Sequence, residues 1–182
     1  MKKIWWTLFI FFYHLASMSQ EYETQTYEVI KKIEDAEIRY YPAVMRIKTS
    51  QSNGFASLFG FISGKNSMGQ KIAMTTPVYT HNNDGQQTME FVLPKKFTPQ
   101  NVPKSISEKV AVYQSKPGYY IAYTFGGYSF NWLTKKATQK LEEIIKKHQL
   151  SSMNNPLLLV YNSPYELMNR KNEILFELIN YP

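Results

Sequence analysis

The stretch GFISGKNSMGQKIAMTTPV, residues 60–78, joins an apolar, helix-like segment to a strand-like one, and the loop at its centre decides between two folds. Gly64 and Gly69 have the spacing of the glycines in a phosphate-binding loop. The next two positions of such a loop need a lysine and then a serine or threonine, and here they are Gln70 and Lys71. A phosphate-binding loop also opens a helix, whereas this one runs into threonine, valine and tyrosine residues that favour a strand. The sequence therefore predicts a glycine-flanked turn and excludes a nucleotide loop.

An apolar helix is predicted before this turn, over residues 53–64. Its large apolar side chains fall three and four residues apart, which is the spacing of one helix face: Phe55, Leu58, Phe59 and Ile62. After the turn, a strand over residues 71–80 would direct Ile72 and Met74 to one side. Core packing explains most of these side chains, but methionine also suits adaptable binding surfaces, and ligands often bind between a helix and a sheet. The two segments are therefore a candidate apolar groove.

The rest of the chain repeats the same order of elements. Two strands around a turn at residues 34–36 precede the first helix, and strands at 71–80 and 87–93 follow it. Beyond a proline-rich loop come a hairpin over 108–125, an amphipathic helix over 129–150, and strands at 157–162 and 173–179. This order predicts an α+β fold of two pseudo-symmetric ββαββ halves, forming an antiparallel, distorted eight-stranded barrel or sheet with two flanking helices.

Residues 1–19 have the three-part plan of a secretory signal peptide. Two lysines precede an apolar run over residues 4–13, and small residues follow up to Ser19. The run is shorter than the roughly 20 residues that span a bilayer, so we expect cleavage near Ser19, with an uncleaved anchor as the alternative. Residues 20–182 would then form one domain, exported to the periplasm or the extracellular space, with no stable membrane span. The chain has no cysteine, which excludes disulfides and lipidation at a cleavage-site cysteine.

The predicted mature domain is mildly basic, because loss of Lys2 and Lys3 lowers the formal charge by two, from +7 to +5. Its lysines are dispersed, so no nucleic-acid partner is expected. Catalytic and metal-binding patterns are missing too, since His81 and His148 have no second ligand at strand or helix spacing and no nucleophile motif occurs. A turn and a helix C-terminus explain the two histidines, and axial ligation of an iron is the open alternative. The sequence predicts neither an enzyme nor a metal site.

A charged cluster precedes the last strand, where Arg170 and Lys171 lie close to Glu173. The structural interpretation is a solvated ion pair, because surface pairs are common and contribute little stability. The functional alternative is capture of a ligand carboxylate by Arg170 or Lys171, since arginine offers forked donors.

Four segments together resemble the SOUL/heme-binding protein family in order and spacing: YEVIKKIEDAEIRYYP (27–42), GFISGKNSMGQKIAMTTPV (60–78), FGGYS (125–129) and VYNSPYELMNRKNEILFEL (160–178). The resemblance covers nearly everything after the predicted signal peptide, and its most specific parts are residues 71–78 and 169–174. It implies two pseudo-symmetric halves in a distorted barrel with two flanking helices. It also implies binding of heme and related tetrapyrroles, in some members in an apolar groove beside the first helix without an obligatory axial ligand.

For this chain the resemblance implies a carrier or buffer that binds heme or another tetrapyrrole non-covalently. The wall of the groove would be apolar and its mouth basic, to meet propionates: Phe55, Leu58, Phe59, Ile62 and Met74 in the wall, and Lys65, Arg170 and Lys171 at the mouth. The axial histidine attributed to one member has no counterpart here. The halves also resemble the effector-binding domains of the GyrI-like group, which leaves another planar or cationic apolar ligand open. An interaction module of the cell envelope is a further alternative, and protein partners and oligomeric state stay open.

Overall fold

The computed structural model describes residues 22–83, 85–163, 165–166 and 168–181. The predicted signal peptide, residues 1–19, lies outside the described residues. All the strands and helices named below lie between residues 22 and 181, so a chain that begins at Gln20 contains every one of them. No helix in the described part of the chain is long and apolar enough to cross a membrane.

Eleven strands and two helices make up the regular structure of the described residues. The strands are β1 (Glu23–Thr24), β2 (Glu28–Ile33), β3 (Ala36–Tyr41), β4 (Met45–Thr49), β5 (Thr75–Thr76), β6 (Val78–Asn83), β7 (Gln86–Val92), β8 (Ala111–Gln114), β9 (Gly118–Gly126), β10 (Leu157–Val160) and β11 (Lys171–Glu177); the helices are α1 (Gly54–Ile62) and α2 (Asn131–Lys147). Both helices lie where the spacing of apolar residues predicts them, and they end within three residues of the predicted limits.

Nine strands form one curled antiparallel sheet in the order β2-β3-β9-β11-β10-β6-β7-β4-β8. The two remaining strands, β1 and β5, form a separate parallel pair in which Glu23 lies opposite Thr75 and Thr24 opposite Thr76. The α+β prediction with two flanking helices is confirmed. The sheet has nine strands instead of eight because residues 26–49 hold three strands, and the additional one, β2, lies at the edge beside β3.

The two halves of the sheet exchange their first strands. One half consists of β3, β4, α1, β6 and β7, and the other consists of β8, β9, α2, β10 and β11. Strand β3 pairs with β9 of the other half, and β8 pairs with β4. Outward from the junction between β10 and β6, the order is therefore β10-β11-β9-β3 on one side and the equivalent β6-β7-β4-β8 on the other. The predicted hairpin over 108–125 is therefore wrong. Pairing with β3 gives β9 six partner residues, more than the four-residue β8 could offer.

The predicted strand over 71–80 begins later than expected, because the loop before it folds back towards α1. The Asn66 side chain closes this loop: its Nδ2 donates to the carbonyl oxygens of Phe61 (2.9 Å) and Gln70 (2.7 Å). Its Oδ1 accepts from the backbone N–H groups of Met68 and Gln70, both at 3.1 Å. Since Asn66 is buried, these bonds satisfy a side chain that would otherwise cost stability.

The helices cover one face of the sheet. Helix α1 lies against β4 and β7, and α2 lies against β9 and β11, each above its own cluster of buried apolar residues. A third cluster, which includes Tyr41, Tyr79 and Leu175, occupies the opposite face. Buried ion pairs accompany it there, between Arg39 and Glu173 (3.0 Å) and between Arg46 and Glu90 (3.3 Å).

Candidate ligand-binding site

A cavity of about 680 Å³ opens between α1, the segment that leads into β5, and the end of β10. We call it the α1 cavity. Most of its walls are apolar: Phe55, Phe59, Ile62, Ile72, Ala73, Met74, Val78 and Val160. Polar groups complete the lining: Tyr22, Ser63, Lys71, Thr76, Tyr161, Asn162 and Ser163. Its size falls in the range of about 300–1,000 Å³ that is usual for small-molecule sites.

Two stacked phenylalanines form the helix side of the cavity. Phe55 and Phe59 are one helical turn apart, so their rings lie on the same side of α1, with centroids 5.9 Å apart and planes within 12°. Phe55 also makes an edge-to-face contact with Phe91, whose ring centroid is 5.4 Å away. Even so, Phe55 and Phe59 remain 48% and 49% exposed. Phe55 and Phe59 therefore form an incompletely covered aromatic surface.

The loop closed by Asn66 positions the opposite wall. The backbone N–H of Ile72 donates to the carbonyl oxygen of Ile62 (2.8 Å), and Lys71 forms a bridge with Ser63, so this segment is fixed against the end of α1. As a result Ile72 is buried, and Met74 is half-buried at the cavity. The loop that resembled a phosphate-binding sequence thus builds a cavity wall.

Lys71 is the charged residue of the cavity lining. It is exposed, so its ammonium group is free to meet an anionic substituent of a ligand at the mouth. The other lining residues are apolar or neutral. The cavity therefore suits a largely apolar molecule that carries an anionic group at its solvent side.

Tyr161 separates the cavity from a buried charged cluster on β11. Its hydroxyl donates to Glu173 Oε2 (2.7 Å), which also accepts from Arg39 (3.0 Å), while Lys171 Nζ lies 3.1 Å from Glu173 Oε1. Burial is the largest influence on Glu173 and favours the neutral acid, but Arg39, together with Tyr161 and Lys171, holds the pKa of Glu173 below its usual value. Burial, followed by the charge of Glu173, raises the pKa of Tyr161. Tyr161 is therefore a neutral donor to Glu173, and it also belongs to the cavity lining.

The structure brings together four of the residues that the sequence assigns to the groove, since Phe55, Phe59, Ile62 and Met74 all line the cavity. Leu58 does not line it, because this residue lies on the core side of α1 and is completely buried.

The three basic residues assigned to the mouth also lie outside the lining. Lys65 is exposed, with its side chain passing close to Gly60. Arg170 is buried and donates to the carbonyl oxygens of Ser163 (2.8 Å) and Glu166 (2.6 Å), while Lys171 lies over the Tyr161 ring and pairs with Glu173. The positive charges of Arg170 and Lys171 are therefore engaged within the protein, and Lys71 is the basic residue that lines the cavity.

Sequence reasoning missed Lys71 and the wall formed by Val160, Tyr161, Asn162 and Ser163. Lys71 was detectable in principle, because it adjoins Ile72 in the predicted groove segment. The second wall left no such signal, since it depends on the pairing of β10 with β6.

Neither histidine of the described residues is at the cavity. His148 lies at the end of α2, with Nε2 2.8 Å from Glu34 Oε1. His81 lines a second cavity of about 490 Å³ with Met153, Leu157 and Glu177, and burial lowers its pKa. No group of three or more potential metal-ligating His, Cys, Asp or Glu side chains occurs among the described residues.

A family model described as SOUL heme-binding protein matches residues 22–177, which include both helices and the whole lining of the α1 cavity. The chain belongs to the SOUL heme-binding protein family. Membership supports binding of heme or a tetrapyrrole in general, and it agrees with the observed fold. No curated protein matches the chain.

Solved structures similar to this SOUL protein share its fold at low sequence identity. The C-terminal domain of EcmrR is 12% identical, with a TM-score of 0.56, over 80% of this chain and 98% of that domain. A hydrolase from Listeria innocua is 10% identical, with a TM-score of 0.54, over 82% of this chain and 94% of the other. At such identities these similarities show the fold alone.

Proposed function

We propose that this SOUL protein is a carrier or buffer that binds heme or a related tetrapyrrole in the α1 cavity. The observation that carries the proposal is the stacked pair Phe55–Phe59, a flat, half-exposed aromatic surface on the wall of an apolar cavity. A tetrapyrrole is flat, apolar over its faces and anionic at one edge. The cavity offers a matching surface to each of these parts.

Different lining residues would contact different parts of the tetrapyrrole. Phe55 and Phe59 would cover a face of the macrocycle, and Met74 and Val160 would enclose its apolar edge. Lys71 would meet a propionate at the mouth. No histidine of the described residues lines this cavity, so the apolar walls and Lys71 would hold the ligand there.

The apolar contact alone is enough for useful affinity. Burying roughly 300 Å² of macrocycle at about 25 cal/mol per Å² contributes on the order of 7 kcal/mol. Losses of translational and side-chain freedom reduce this figure, which leaves affinity in about the micromolar range. Binding in the α1 cavity therefore does not depend on a bond to iron.

Titration of a chain that begins at Gln20 with hemin and with metal-free protoporphyrin IX tests the proposal. We expect saturable binding of both, with similar dissociation constants, measured by absorbance and by quenching of tryptophan fluorescence. Binding of hemin without binding of the metal-free porphyrin would show that an iron ligand is required. Failure of both to saturate would favour an envelope interaction module.

The location is tested by Phe59→Asp in the same titration. Because Phe59 is half-exposed, the variant should fold, and a carboxylate in the apolar wall should weaken porphyrin binding by roughly a hundredfold. The matched control is Met68→Asp, which places the same charge at an exposed apolar residue outside the lining. Unchanged binding by a folded Phe59→Asp variant would place the ligand elsewhere.

A further inference from the structure

Arg170 joins the loop that follows β10, which lines the α1 cavity, to the loop before α2. Its guanidinium donates to the carbonyl oxygens of Ser163 and Glu166 in one loop and lies 4.3 Å from the ring centroid of Tyr128 in the other. The Nδ2 of Asn172 adds a 2.7 Å hydrogen bond to the carbonyl oxygen of Gly127. The segment around residues 126–132 and the segment around residues 161–170 therefore form one continuous surface.

This surface exposes a concentration of large apolar side chains. Tyr165 is 90% exposed, Met168 79%, Trp132 64% and Phe130 57%. Phe130 stacks on Tyr128 with centroids 5.5 Å apart, and Tyr128 contacts Arg170, which connects the aromatic residues of the first loop to the second. Single exposed apolar residues are common on proteins, whereas four on two joined segments are typical of an interaction surface. We call Phe130, Trp132, Tyr165 and Met168 the rim surface.

Basic residues border the rim surface. Lys135 and Lys136 are exposed in the first turns of α2, three and four residues after Trp132, and neither forms an ion pair with another described residue. The first turn of α2 contains no acidic residue. Glu166 is the acidic group of the second loop, where its carboxylate accepts a 2.6 Å hydrogen bond from Asn162. Two lysines, Lys135 and Lys136, thus outnumber the single carboxylate of Glu166 beside the exposed aromatic residues, so the charge there is mainly positive.

We propose that the rim surface docks this protein onto an anionic phospholipid bilayer. Tryptophan and tyrosine favour the interface between lipid and water, where their rings contact apolar chains and their polar atoms stay hydrated. Lysines beside them are attracted to anionic headgroups. The aromatic and basic residues thus complement the two chemical layers of a bilayer surface.

Docking through the rim surface would place the bilayer beside the α1 cavity, and this step rests on the proposed function. Tyr161, Asn162 and Ser163 line the α1 cavity, and the same loop continues to Tyr165 and Met168. A bilayer in contact with these two residues would lie next to the cavity. Tetrapyrroles partition into membranes because their faces are apolar, so the ligand could pass between bilayer and cavity along this loop.

The test uses a ligand-free chain that begins at Gln20, in which Trp132 is the one tryptophan, since the other two are Trp5 and Trp6. Its fluorescence therefore reports directly on the rim surface. On titration with vesicles of phosphatidylcholine and phosphatidylglycerol we expect a blue shift of the emission and co-sedimentation of the protein. Vesicles of phosphatidylcholine alone should bind more weakly, and added salt should reduce the difference.

Two methionine variants provide a matched comparison. Met168→Ser removes a large apolar contact of the rim surface and should weaken partitioning into anionic vesicles by roughly tenfold. Met153→Ser makes the same change at another exposed methionine, whose backbone N–H donates to the carbonyl oxygen of Glu177. Glu177 and Lys171 are the two ends of the seven-residue strand β11, about 20 Å apart. Met153→Ser should leave partitioning unchanged.

Three results would overturn docking on lipid: no blue shift with anionic vesicles, equal effects of Met168→Ser and Met153→Ser, or self-association that Met168→Ser abolishes without any vesicle binding. The last would assign the rim surface to a second copy of the chain. Hemin titration of the same variants without vesicles separates this inference from the proposed function. Vesicle binding without hemin binding would leave the docking surface intact and remove the proposed ligand.

Discussion

At the scale of single residues, Lys71 is the charge at the cavity that can be removed with least disturbance to the fold. Its side chain is exposed, and no other charged side chain lines the cavity. We expect Lys71→Ala to weaken binding of protoporphyrin IX about twofold to fivefold, the effect of losing an exposed ion pair. The dimethyl ester has no carboxylates, so its affinity should not change. Parallel fluorescence titrations of the two porphyrins measure the difference.

Lys65→Ala is the control for this comparison. Lys65 is also exposed and lies six residues earlier, but it is outside the cavity lining. Its replacement should leave both porphyrins bound as before. An equal loss for acid and ester in Lys71→Ala would mean that Lys71 does not meet a propionate.

The buried carboxylate of Glu173 should make the stability of the protein depend on pH. Its pKa is held below the usual value near 4.5, so its contribution to stability is complete above that pH and is lost as the pH falls through the folded-state pKa. Glu173→Gln removes the buried carboxylate that accepts from Arg39 and Tyr161, while Arg39 keeps its ion pair with Glu37, so the free energy of unfolding should fall by about 1.5–3 kcal/mol at pH 7. Urea unfolding at pH 7 and at successively lower pH measures both effects.

The loss should shrink in acid, because protonation of Glu173 in the wild type removes the same negative charge. Glu177→Gln is the control, since Glu177 lies on the same strand but is exposed. It should change stability little at any pH. A constant difference between wild type and Glu173→Gln down to the acid limit would contradict the assigned role of Glu173.

At the scale of elements, the loop between α1 and β5 depends on one side chain. Asn66→Ala removes four hydrogen bonds to the backbone and should cost about 2–4 kcal/mol of stability. Because the loop fixes Lys71–Met74 against α1, porphyrin binding should weaken as well. Urea unfolding and porphyrin titration of the same preparation measure the two effects.

Asn101→Ala distinguishes a general loss of stability from a local effect. The Asn101 side chain also closes a loop, accepting from the backbone N–H of Thr98 (2.7 Å) and donating to the carbonyl oxygen of Lys96 (2.9 Å), but it lies outside the cavity lining. This variant should lose stability and keep its affinity. Equal loss of affinity in both variants would show that the loop of Asn66 has no special part in binding.

The sequence alone was enough to predict helix α1 and one wall of the cavity. Helix α1 follows from the three- and four-residue spacing of its apolar side chains, and one wall of the cavity follows from α1 and Met74. The pairing of β8 with β4 does not follow, because a local turn at Lys116–Gly118 fits a hairpin equally well. The wall at Val160–Ser163 depends on a different long-range pairing, of β10 with β6. Arg170 and Lys171 were assigned to the mouth because sequence does not reveal which carbonyl or carboxylate groups already bind a basic side chain.

At the scale of the whole molecule, export is a prediction that rests on residues 1–19. We expect the protein recovered from the periplasmic or extracellular fraction of its source cells to lack these residues, because the short apolar run followed by small residues is typical of a cleaved signal peptide. Intact-mass spectrometry measures the mature N-terminus. Full-length protein confined to the cytosol would contradict export, and full-length protein in the membrane fraction would favour the uncleaved anchor.

The exchange of β3 and β8 between the halves of the sheet determines how the chain can be divided. A fragment that ends before β8 would leave the edge of β4 without its partner, and the other fragment would leave β9 without β3. The arrangement resembles a domain-swapped dimer within a single chain, with the proline-containing segment at residues 93–110 as the connection between the two halves. Fragments separated within that linker should therefore fold by complementing each other, and each fragment alone should tend to swap its free strand with another copy of itself.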